Sequence, residues 1–331
     1  MALSLKKILF RLPPDEITCA KRGFGACEAG VQEKLEKVGQ VFVEGYRLAL
    51  ETSDEVRLAA TLEQTFDAHH VGFAFEGAGF YYALLDVLIP RRQSRLRAFT
   101  DDLARKHNYL ATVGAGFALA RVPWGRRYLP GYLRKLDPML AWCVPDGYGF
   151  HQGFFHPQRF IERCEAPPSV WPAYARRLFD AGIGRSLWWV EGADPKRIRQ
   201  AVEQFPEARR AELWCGVGLA CAYAGGVGED VAKALVAAAG CHRADVLSGA
   251  SFAANMRRQG NNPSPWTERI CQLFLGMTAY QASDWIETEQ DIVLAGLPRD
   301  DAERGGRCYL AVRRRLVASL ADESWVMSHG A

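Results

Sequence analysis

The sequence predicts a mainly α-helical protein made of two related helical halves, arranged as a helical array or bundle. Three observations support this fold class. Apolar residues recur at helical spacing through much of the 331-residue chain. Alternation typical of β-strands is scarce, and its best example is the short run LWWV at 187–190. Glycines recur in a similar order on both sides of a proline-rich stretch at 164–172.

The helical patterns are clearest in four segments. These span residues 31–50, 55–70, 73–90 and 230–240. In the first two, apolar side chains recur every three to four residues and would share one helix face. The third is an apolar run, interrupted by Glu76 and Asp86, that we expect to stop at Pro90. The fourth is predicted to begin at an aspartate cap and to end at Gly240.

Pairs of glycines interrupt several of these helical runs. They lie at 77/79, 114/116 and 216/218, and Gly249 begins a similar Gly-Ala-Ser run. Because glycine inside a helix costs about 1 kcal/mol relative to alanine, we expect a compensating close approach of helix backbones. None of the pairs matches a phosphate-binding signature, since the third glycine and the acidic residue of a dinucleotide site are missing. No cofactor is therefore expected.

Four glycine anchors recur in the same order in the two parts of the chain. The pairs are Gly45/Gly192, Gly77/Gly216, Gly114/Gly249 and Gly147/Gly276, at shifts of 147, 139, 135 and 129 residues. A falling shift is what small loop deletions in a second copy would produce, so we predict an internal duplication. The halves are expected at 1–163 and 173–290, joined by a linker at 164–172 and followed by an extension at 291–331. The alternative is that helices rich in glycine and alanine resemble one another by composition alone.

Composition excludes several classes of protein. With 49% hydrophobic and 24% charged residues, the chain carries enough apolar material for a large core and is not disordered. No apolar stretch is expected to reach the roughly 18 residues that a membrane span needs. A formal net charge of only +3 gives no reason to expect nucleic acid binding. Nine cysteines without CxxC pairs indicate a reduced, cytoplasmic protein.

The stretch DGYGFHQGFFH at 146–156 is the richest in reactive side chains. Three glycines among aromatic residues favour a backbone that turns tightly beside a pocket. Asp146, His151 and His156 would then serve as acid or base groups, because histidine titrates near neutral pH. The alternative is a half-buried loop whose histidines bond to the backbone. The second half has a tyrosine and a tryptophan at the places that match the two histidines, which favours a role for the histidines beyond packing.

Two glutamates have aromatic surroundings, Glu76 in GFAFEGAGFYY and Glu191 in SLWWVEGAD. A charge among so many aromatic residues is paired, protonated or directed into a cavity. Both join Asp146, His151 and His156 in the candidate catalytic set. For each glutamate, a structural ion pair with an arginine is the alternative. No histidines, cysteines and carboxylates have metal-ligand spacing, so no metal is expected.

Basic residues concentrate in two places. Segment 91–135 carries eleven lysines and arginines against two aspartates, and the first twelve residues form a short basic amphipathic pattern. Such surfaces bind anionic membranes or acidic proteins, although amphipathic ends also dock on their own domain. The candidate partner-binding residues are Lys6, Lys7, Arg91, Arg92, Arg95 and Arg97.

Eight motifs are distributed over most of the chain. They are KRGFG at 21–25, EGAGFYYALLD at 76–86, VGAGFALAR at 113–121, LDPML at 136–140, DGYGFHQGFFH at 146–156, GIGRSLWWVEGADPKRI at 182–198, ELWCGVGLACAYAGG at 212–226 and GNNPSPWTE at 260–268. Together they resemble the domain of unknown function 1702 family. Its members are known as accessory proteins encoded beside the iterative polyketide synthase of enediyne antibiotic clusters. They also occur beside a propeller-like protein and an electron-transport-type membrane protein.

The resemblance implies a role in secondary metabolism, in maturing an unsaturated polyketide-type or lipid-like chain, but it supplies no reaction and no catalytic residues. The first hypothesis is an enzyme or enzyme subunit that acts on such a chain. The second is a noncatalytic scaffold or chaperone that binds the chain or assembles partners such as an acidic carrier protein or a membrane protein. An isoprenoid cyclase-like enzyme is a distant third, since Asp101-Asp102 lacks the aromatic-rich context of such sites. The expected location is the cytoplasm, with peripheral membrane contact as an open alternative.

Overall fold

The computed structural model describes residues 12–25, 27–89 and 91–321 of the chain. The regular structure of these residues is helical, with no strand among them, which confirms the predicted mainly α fold. The α-helices are α1 (Cys19–Arg22), α2 (Ala29–Glu51), α3 (Glu55–Thr65), α4 (Val71–Leu88), α5 (Arg95–Asp101), α6 (Asn108–Arg121), α7 (Gly125–Leu133), α8 (Cys143–Phe155), α9 (Ala173–Val190), α10 (Pro195–Glu203), α11 (Glu207–Ala224), α12 (Glu229–Ala239), α13 (Arg243–Gln259), α14 (Pro265–Leu275), α15 (Ala279–Ala295) and α16 (Arg304–Ala321). Short 3₁₀ turns at Pro14–Ile17, Arg105–His107 and Gly240–His242 and a π-helical turn at Gln158–Glu162 connect them.

The predicted helices form, with some ends shifted. Helices α2, α3, α4 and α12 correspond to the segments predicted at 31–50, 55–70, 73–90 and 230–240. Helix α3 ends early, at Thr65. Its start is fixed by Asp54, whose side chain accepts a hydrogen bond from the amide of Arg57. Helix α12 begins after Gly228 rather than at an aspartate cap.

Two local predictions are wrong, and both fall on buried helices. The LWWV run at 187–190 is the last turn of α9 and not a strand. The stretch at 146–156 is not a loop, because residues up to Phe155 belong to α8. In both stretches nearly every side chain is buried, so the sequence shows no alternation between apolar and polar faces.

Seven helices lie side by side in chain order: α2, α4, α6, α8, α9, α11 and α13. At each of the six interfaces between them, one glycine from each helix lies against the backbone of its neighbour. A Cβ atom added to Gly182 of α9 would lie 1.9 Å from the carbonyl oxygen of Asp146 on α8. One added to Gly149 of α8 would lie 2.1 Å from the carbonyl oxygen of Phe179 on α9. The predicted close approach of helix backbones is thus confirmed.

The glycine pattern repeats from helix to helix. The first glycines of successive pairs lie at 77, 114, 147, 182, 216 and 249, so the spacing is 33 to 37 residues. A repeat of one array helix every 33 to 37 residues therefore explains the glycine matches between the two halves as well as a duplication does. The duplication itself stays a prediction.

In two of the four anchor pairs that suggested the duplication, the paired glycines occupy different structural positions. Gly192 and Gly276 follow helix ends with φ of +58° and +65°, whereas Gly45 and Gly147 lie inside helices against neighbouring backbones. The match between the histidines of α8 and the aromatic residues at 280 and 285 depended on the second of these anchors. That comparison no longer supports a special role for the histidines, which must be judged from their own surroundings.

The array curves until distant helices meet. The indole N–H of Trp189 on α9 donates to the carbonyl oxygen of Leu35 on α2 at 3.1 Å. The ring of Phe73 on α4 meets that of Tyr223 on α11 edge-on, with centroids 5.3 Å apart. Buried Arg257 of α13 donates to two backbone carbonyls just before α4. The side chains on the concave face are therefore enclosed and form the core.

Helix α4 is long and apolar enough to cross a membrane by length and composition, contrary to the expectation that no stretch would be. Its 18 residues have a mean hydropathy of 1.3, and 83% of them are buried inside the protein. Helix α4 lies between α2 and α6 in the array, and this central place accounts for its apolar composition.

Helix α16 is joined to the array by a buried ion-pair cluster. Arg313 of α16 donates to Glu212 on α11 and, at 2.5 Å, to Asp245 on α13. On the same helix, the ring of Tyr309 stacks on Trp142 with centroids 4.4 Å apart. Helix α16 therefore covers the core from the side of α11 and α13.

Candidate functional site

A partly open cavity of about 60 Å³ lies on the concave side of the array. Its walls come from the five helices α2, α4, α6, α8 and α9, and Leu12 and Ile17 cover one side. Aromatic rings form most of the lining. Phe42, Phe80, Phe117 and Phe150 make a continuous row with centroids 5.1 to 5.8 Å apart. The polar side chains that reach this apolar space are Glu76, Arg121, His151 and Arg185.

Glu76 lies in the middle of α4 and is only 4% exposed. Its carboxyl group makes no hydrogen bond or salt bridge with a residue that the structure describes. Burial raises the pKa of Glu76 to about 8, while Arg185 acts in the opposite direction and Asp146 adds to the rise. At neutral pH Glu76 is therefore mostly protonated, and it presents an acidic proton to the cavity.

His151 lies on α8 and is likewise 4% exposed. Neither of its ring nitrogens has a hydrogen-bond partner in the described part of the chain. The ring lies against Phe155 at a centroid distance of 4.5 Å and near Phe117 at 6.0 Å. Burial lowers the pKa of His151 well below 6.5, and the positive charge of Arg121 lowers it further. The imidazole is thus neutral and has a nitrogen lone pair that can accept a proton.

Arg185 of α9 and Asp146 of α8 form a buried ion pair. The guanidinium donates from Nε and Nη2 to the two carboxylate oxygens at 3.2 and 2.5 Å, and it lies 5.0 Å from the ring centre of Phe150. Burial raises the pKa of Asp146, while Arg185 opposes that rise. We assign the pair as ionised because both carboxylate oxygens accept from one guanidinium, the geometry of a strong charge-assisted contact.

A second cavity, of about 30 Å³, lies on the other side of this ion pair. Phe73, Arg185 and Trp189 line both cavities, whereas Asp146 lines only the second. The second cavity reaches α11, α13 and, through Tyr309, α16. The ion pair is therefore part of a wall between two apolar spaces along the concave face.

The structure brings two of the five predicted catalytic residues into one cavity, namely Glu76 and His151. Asp146 lies behind them, in contact with Arg185. His156 is exposed at the end of α8, with its ring centroid 6.2 Å from that of His151, and it does not line the cavity. Glu191 follows the end of α9, away from the lining, and burial raises its pKa. A catalytic role for each of the five stays a prediction.

The predicted partner-binding residues divide into three groups. Lys6 and Lys7 lie outside the described residues. Arg95 is engaged within the fold, since it contacts Asp86 and donates to two carbonyls near the end of α4. Arg97 pairs with an aspartate one turn further along α5. Arg91 and Arg92 are exposed and form no salt bridge with a described residue.

Other charged groups lie outside the cavity. Glu44, which immediately precedes a glycine on α2 as Glu76 does on α4, is paired with Arg47 at the surface. Asp101 and Asp102 are exposed at the end of α5 and line neither cavity. Over residues 12–25, 27–89 and 91–321 no three metal-ligating side chains cluster together.

Neither arginine of the cavity is among the site residues predicted from the sequence. Arg185 stands in GIGRSLWW, where it is the single charge in an apolar run, and this is the same signal that identifies Glu76. Arg121 ends α6 and is one of eleven basic residues between 91 and 135, so nothing in the sequence separates it from surface charges. Its place at the cavity follows only from the packing of α6 between α4 and α8.

The cavity therefore combines a protonated carboxyl group with a neutral imidazole in apolar surroundings. A carboxyl group whose pKa lies near the working pH serves as a general acid, and a neutral imidazole serves as a general base. Both groups are buried, and aromatic rings make up much of the wall around them. This arrangement can move protons on a molecule that is otherwise apolar.

Comparison with known proteins agrees with the motifs in the sequence. No curated protein and no solved structure matches the chain. One family model, described as Protein of unknown function (DUF1702), matches residues 1–319. Because the match spans most of the 331 residues, the protein belongs to the DUF1702 family.

Proposed function

We propose that this protein is an accessory biosynthetic enzyme, or an enzyme subunit, that performs acid–base chemistry on an unsaturated polyketide-type or lipid-like chain. The observation that carries the proposal is the presence of Glu76 and His151 in one apolar cavity. The polyketide setting comes from the family resemblance, whose members are associated with enediyne clusters.

Both groups are held in the protonation states that proton transfer requires. Burial raises the pKa of Glu76 to about 8 and lowers that of His151 below its ordinary value. Each arrangement lowers stability, since a buried polar group without a hydrogen bond costs on the order of 1–3 kcal/mol. Phenylalanine or leucine would fill the same space without that cost. Polar groups kept at such positions favour a functional role.

A shift of a double bond is the reaction that fits these groups most directly. His151 would take a proton from the carbon next to a double bond, and Glu76 would deliver a proton to the far carbon of that bond. The double bond then moves by one position, and the reaction needs no oxidant. A row of aromatic rings suits a flat, conjugated chain that stacks on them.

The cavity as it stands is too small to hold an extended chain. Its 60 Å³ is less than the roughly 150 Å³ of an engineered apolar cavity that accepts benzene. A chain would therefore displace the segment that carries Leu12 and Ile17, or would pass Phe73 toward the second cavity.

The proposal is tested by Glu76→Gln and His151→Phe in a producing strain whose pathway is otherwise intact. Each change keeps the approximate shape of the side chain and removes the titratable group. General acid–base catalysis contributes roughly 10²–10⁴-fold, so we expect product to fall by about two orders of magnitude or more while an unsaturated intermediate accumulates. Mass spectrometry measures both compounds, and thermal melts of the purified variants verify folding.

Glu44→Gln is the matched control, because Glu44 is a glutamate on the neighbouring array helix whose side chain is paired with Arg47 at the surface. It should leave product unchanged. Asp146→Asn and His156→Phe, measured in the same assay, test the remaining residues near the cavity. Full product from both folded cavity variants would contradict the proposed function.

A noncatalytic scaffold is the second candidate, and the exposed Arg91 and Arg92 favour it. These arginines are proposed to bind an acidic carrier protein or anionic headgroups, which would place the protein in the cytoplasm or at the membrane surface. Such attraction is screened over about 8 Å at physiological salt, so binding that Glu replacements and added salt both weaken would support it. If the protein is a scaffold, the loss of Glu76 and His151 as titratable groups should leave the amount of product unchanged in the same assay.

A further inference from the structure

Two arginines line the cavity, and only one has an acidic partner. Arg185 is paired with Asp146, whereas Arg121 forms no hydrogen bond or salt bridge with a residue that the structure describes. Arg121 is the last residue of α6 and is exposed to solvent as well as lining the cavity. It therefore marks the mouth of the cavity.

Among the described residues, no acidic group pairs with Arg121. The two titratable groups whose pKa values it lowers are the imidazole of His151, which is neutral, and the phenol of Tyr46, whose pKa burial raises. Arg22 adds a second positive charge near His151 and is itself paired with Glu16. Because Glu76 is mostly protonated and Asp146 balances Arg185, the described lining residues leave the positive charge of Arg121 uncompensated at neutral pH.

We infer that the ligand of this cavity is an amphipathic anion, a linear apolar chain whose carboxylate or phosphate group is bound by Arg121 at the mouth. The inference rests on the proposed function for the nature of the chain. The anionic group follows from Arg121 alone.

A role limited to the end of α6 explains Arg121 less well. A positive side chain in the last turn of a helix interacts favourably with the carbonyls there. Another arginine in this protein meets a helix end and donates to its carbonyls: Arg95, at the start of α5, donates to Leu85 in the last turn of α4 and to Ile89 just after it. Arg121 makes no such hydrogen bond, and it lines an apolar space instead.

An anion at this place would also act on His151. After burial itself, Arg121 is the next cause of the low pKa of His151. A bound anion offsets that charge, so the imidazole becomes a stronger base once the ligand is in position. Binding of the anionic group and proton transfer at the chain would then be coupled.

The test uses the purified full chain and parinaric acid, a linear tetraene carboxylic acid whose fluorescence rises in apolar sites, beside its uncharged methyl ester. A hydrogen bond between charged groups contributes about 1.5–3 kcal/mol, so wild type should bind the acid at least about tenfold more tightly than the ester. Arg121→Ala should bind the acid and the ester equally, with the affinity that wild type has for the ester. Arg127→Ala is the matched control, because Arg127 is an exposed arginine that lines neither cavity, and it should discriminate as wild type does.

Equal binding of acid and ester by wild type, or unchanged discrimination by Arg121→Ala, overturns the inference. Failure of wild type to bind either probe overturns it as well. Thermal melts show whether the variant is folded, and Arg121→Lys provides a second variant that keeps the charge and should retain part of the discrimination.

A third probe separates the two sources of the anionic group, a free acid and a carrier-bound chain. The same acyl chain is presented as a thioester of 4′-phosphopantetheine. If the group is a phosphate, this probe binds more tightly than the free acid, and Arg121→Ala removes the advantage. If the group is a carboxylate, the free acid binds more tightly.

The outcomes for this inference and for the proposed function are distinguishable. Glu76→Gln should keep the preference for the acid, because Glu76 contributes no charge at neutral pH. If Arg121→Ala loses the preference while Glu76→Gln and His151→Phe both retain full product, the anion site stands and the acid–base role fails. The reverse pattern removes the anion site and leaves the acid–base role intact.

Discussion

Glu76 makes the stability of the protein depend on pH. Its pKa is about 8 in the folded chain and near its ordinary 4.5 in the unfolded chain. Between these two values the folded state holds a proton that the unfolded state has released, so stability falls as pH rises. The loss is complete once the pH passes the folded pKa of about 8.

We therefore expect Glu76→Gln to stabilise the protein at neutral and mildly alkaline pH, by on the order of a few kcal/mol. Glutamine keeps the shape and cannot ionise, so the variant should also lose much of the decline in stability between about pH 5 and pH 8. Urea titrations at several pH values measure the free energy of unfolding of both proteins. Glu44→Gln should follow wild type, and a Glu76→Gln curve parallel to wild type would show that the carboxyl group is ionised in the fold.

The same residue shows what sequence reasoning can find at this scale. A single charge inside an apolar helix is visible in the sequence, and it identifies Glu76. It would have identified Arg185 by the same argument. His151 could be chosen from the sequence. That neither of its ring nitrogens bonds to a described residue could not be predicted, because this depends on side chains from α6 as well as α8. The pairing of Asp146 with Arg185 depends on the distance between two helices, which no local pattern encodes.

Helices of the array owe their spacing to glycine, and Gly182 is the position where the spacing is tightest among those in the array. Its added Cβ would lie 1.9 Å from the carbonyl oxygen of Asp146 and 2.7 Å from the amide nitrogen of Phe150, both backbone atoms of α8. Neither atom can move without shifting the helix. We expect Gly182→Ala to cost more than about 4 kcal/mol, or to prevent folding.

Gly131→Ala is the control for this prediction. Gly131 lies inside α7, and an added Cβ would meet only the end of the Arg134 side chain at 3.9 Å. Alanine there should stabilise the helix by about 0.5–1 kcal/mol. Circular dichroism melts of both variants make the comparison. If the two changes had similar effects, close backbone contact would not be what holds the array together.

A helix can be predicted from the sequence where one of its faces is exposed. The prediction fails where the helix is buried on all sides. Helix α2 has polar residues on its outer side, so its period is visible in the sequence. The LWWV run of α9 and most of α8 are buried all round, and a helix without a polar face is easily mistaken for a strand or a loop. Glycines at 147 and 149 reinforced the loop interpretation, although they serve helix packing.

The whole molecule is held together by contacts that join early helices to late ones. Trp189 of α9 donates to α2, Phe73 of α4 meets Tyr223 of α11, and Arg257 of α13 donates to the turn before α4. Across the predicted linker, α8 packs directly on α9 through glycines on both helices. The cavity depends on this closure, because its walls come from α2 through α9.

These contacts predict that the chain unfolds as one unit, even when it is cut. A protease site placed at Val170, which is 79% exposed in the predicted linker, should allow cleavage into two fragments that stay associated. The fragments should melt in one transition that coincides by near- and far-ultraviolet circular dichroism. Expressed alone, residues 1–163 would expose the face of α8 that packs on α9 and should bind a hydrophobic dye without a cooperative melt. Separate transitions, or a cooperatively folded 1–163 fragment, would instead establish two independent halves. In that case the cavity could form only when the two halves dock, because its lining includes Arg185 and Trp189 from the second half.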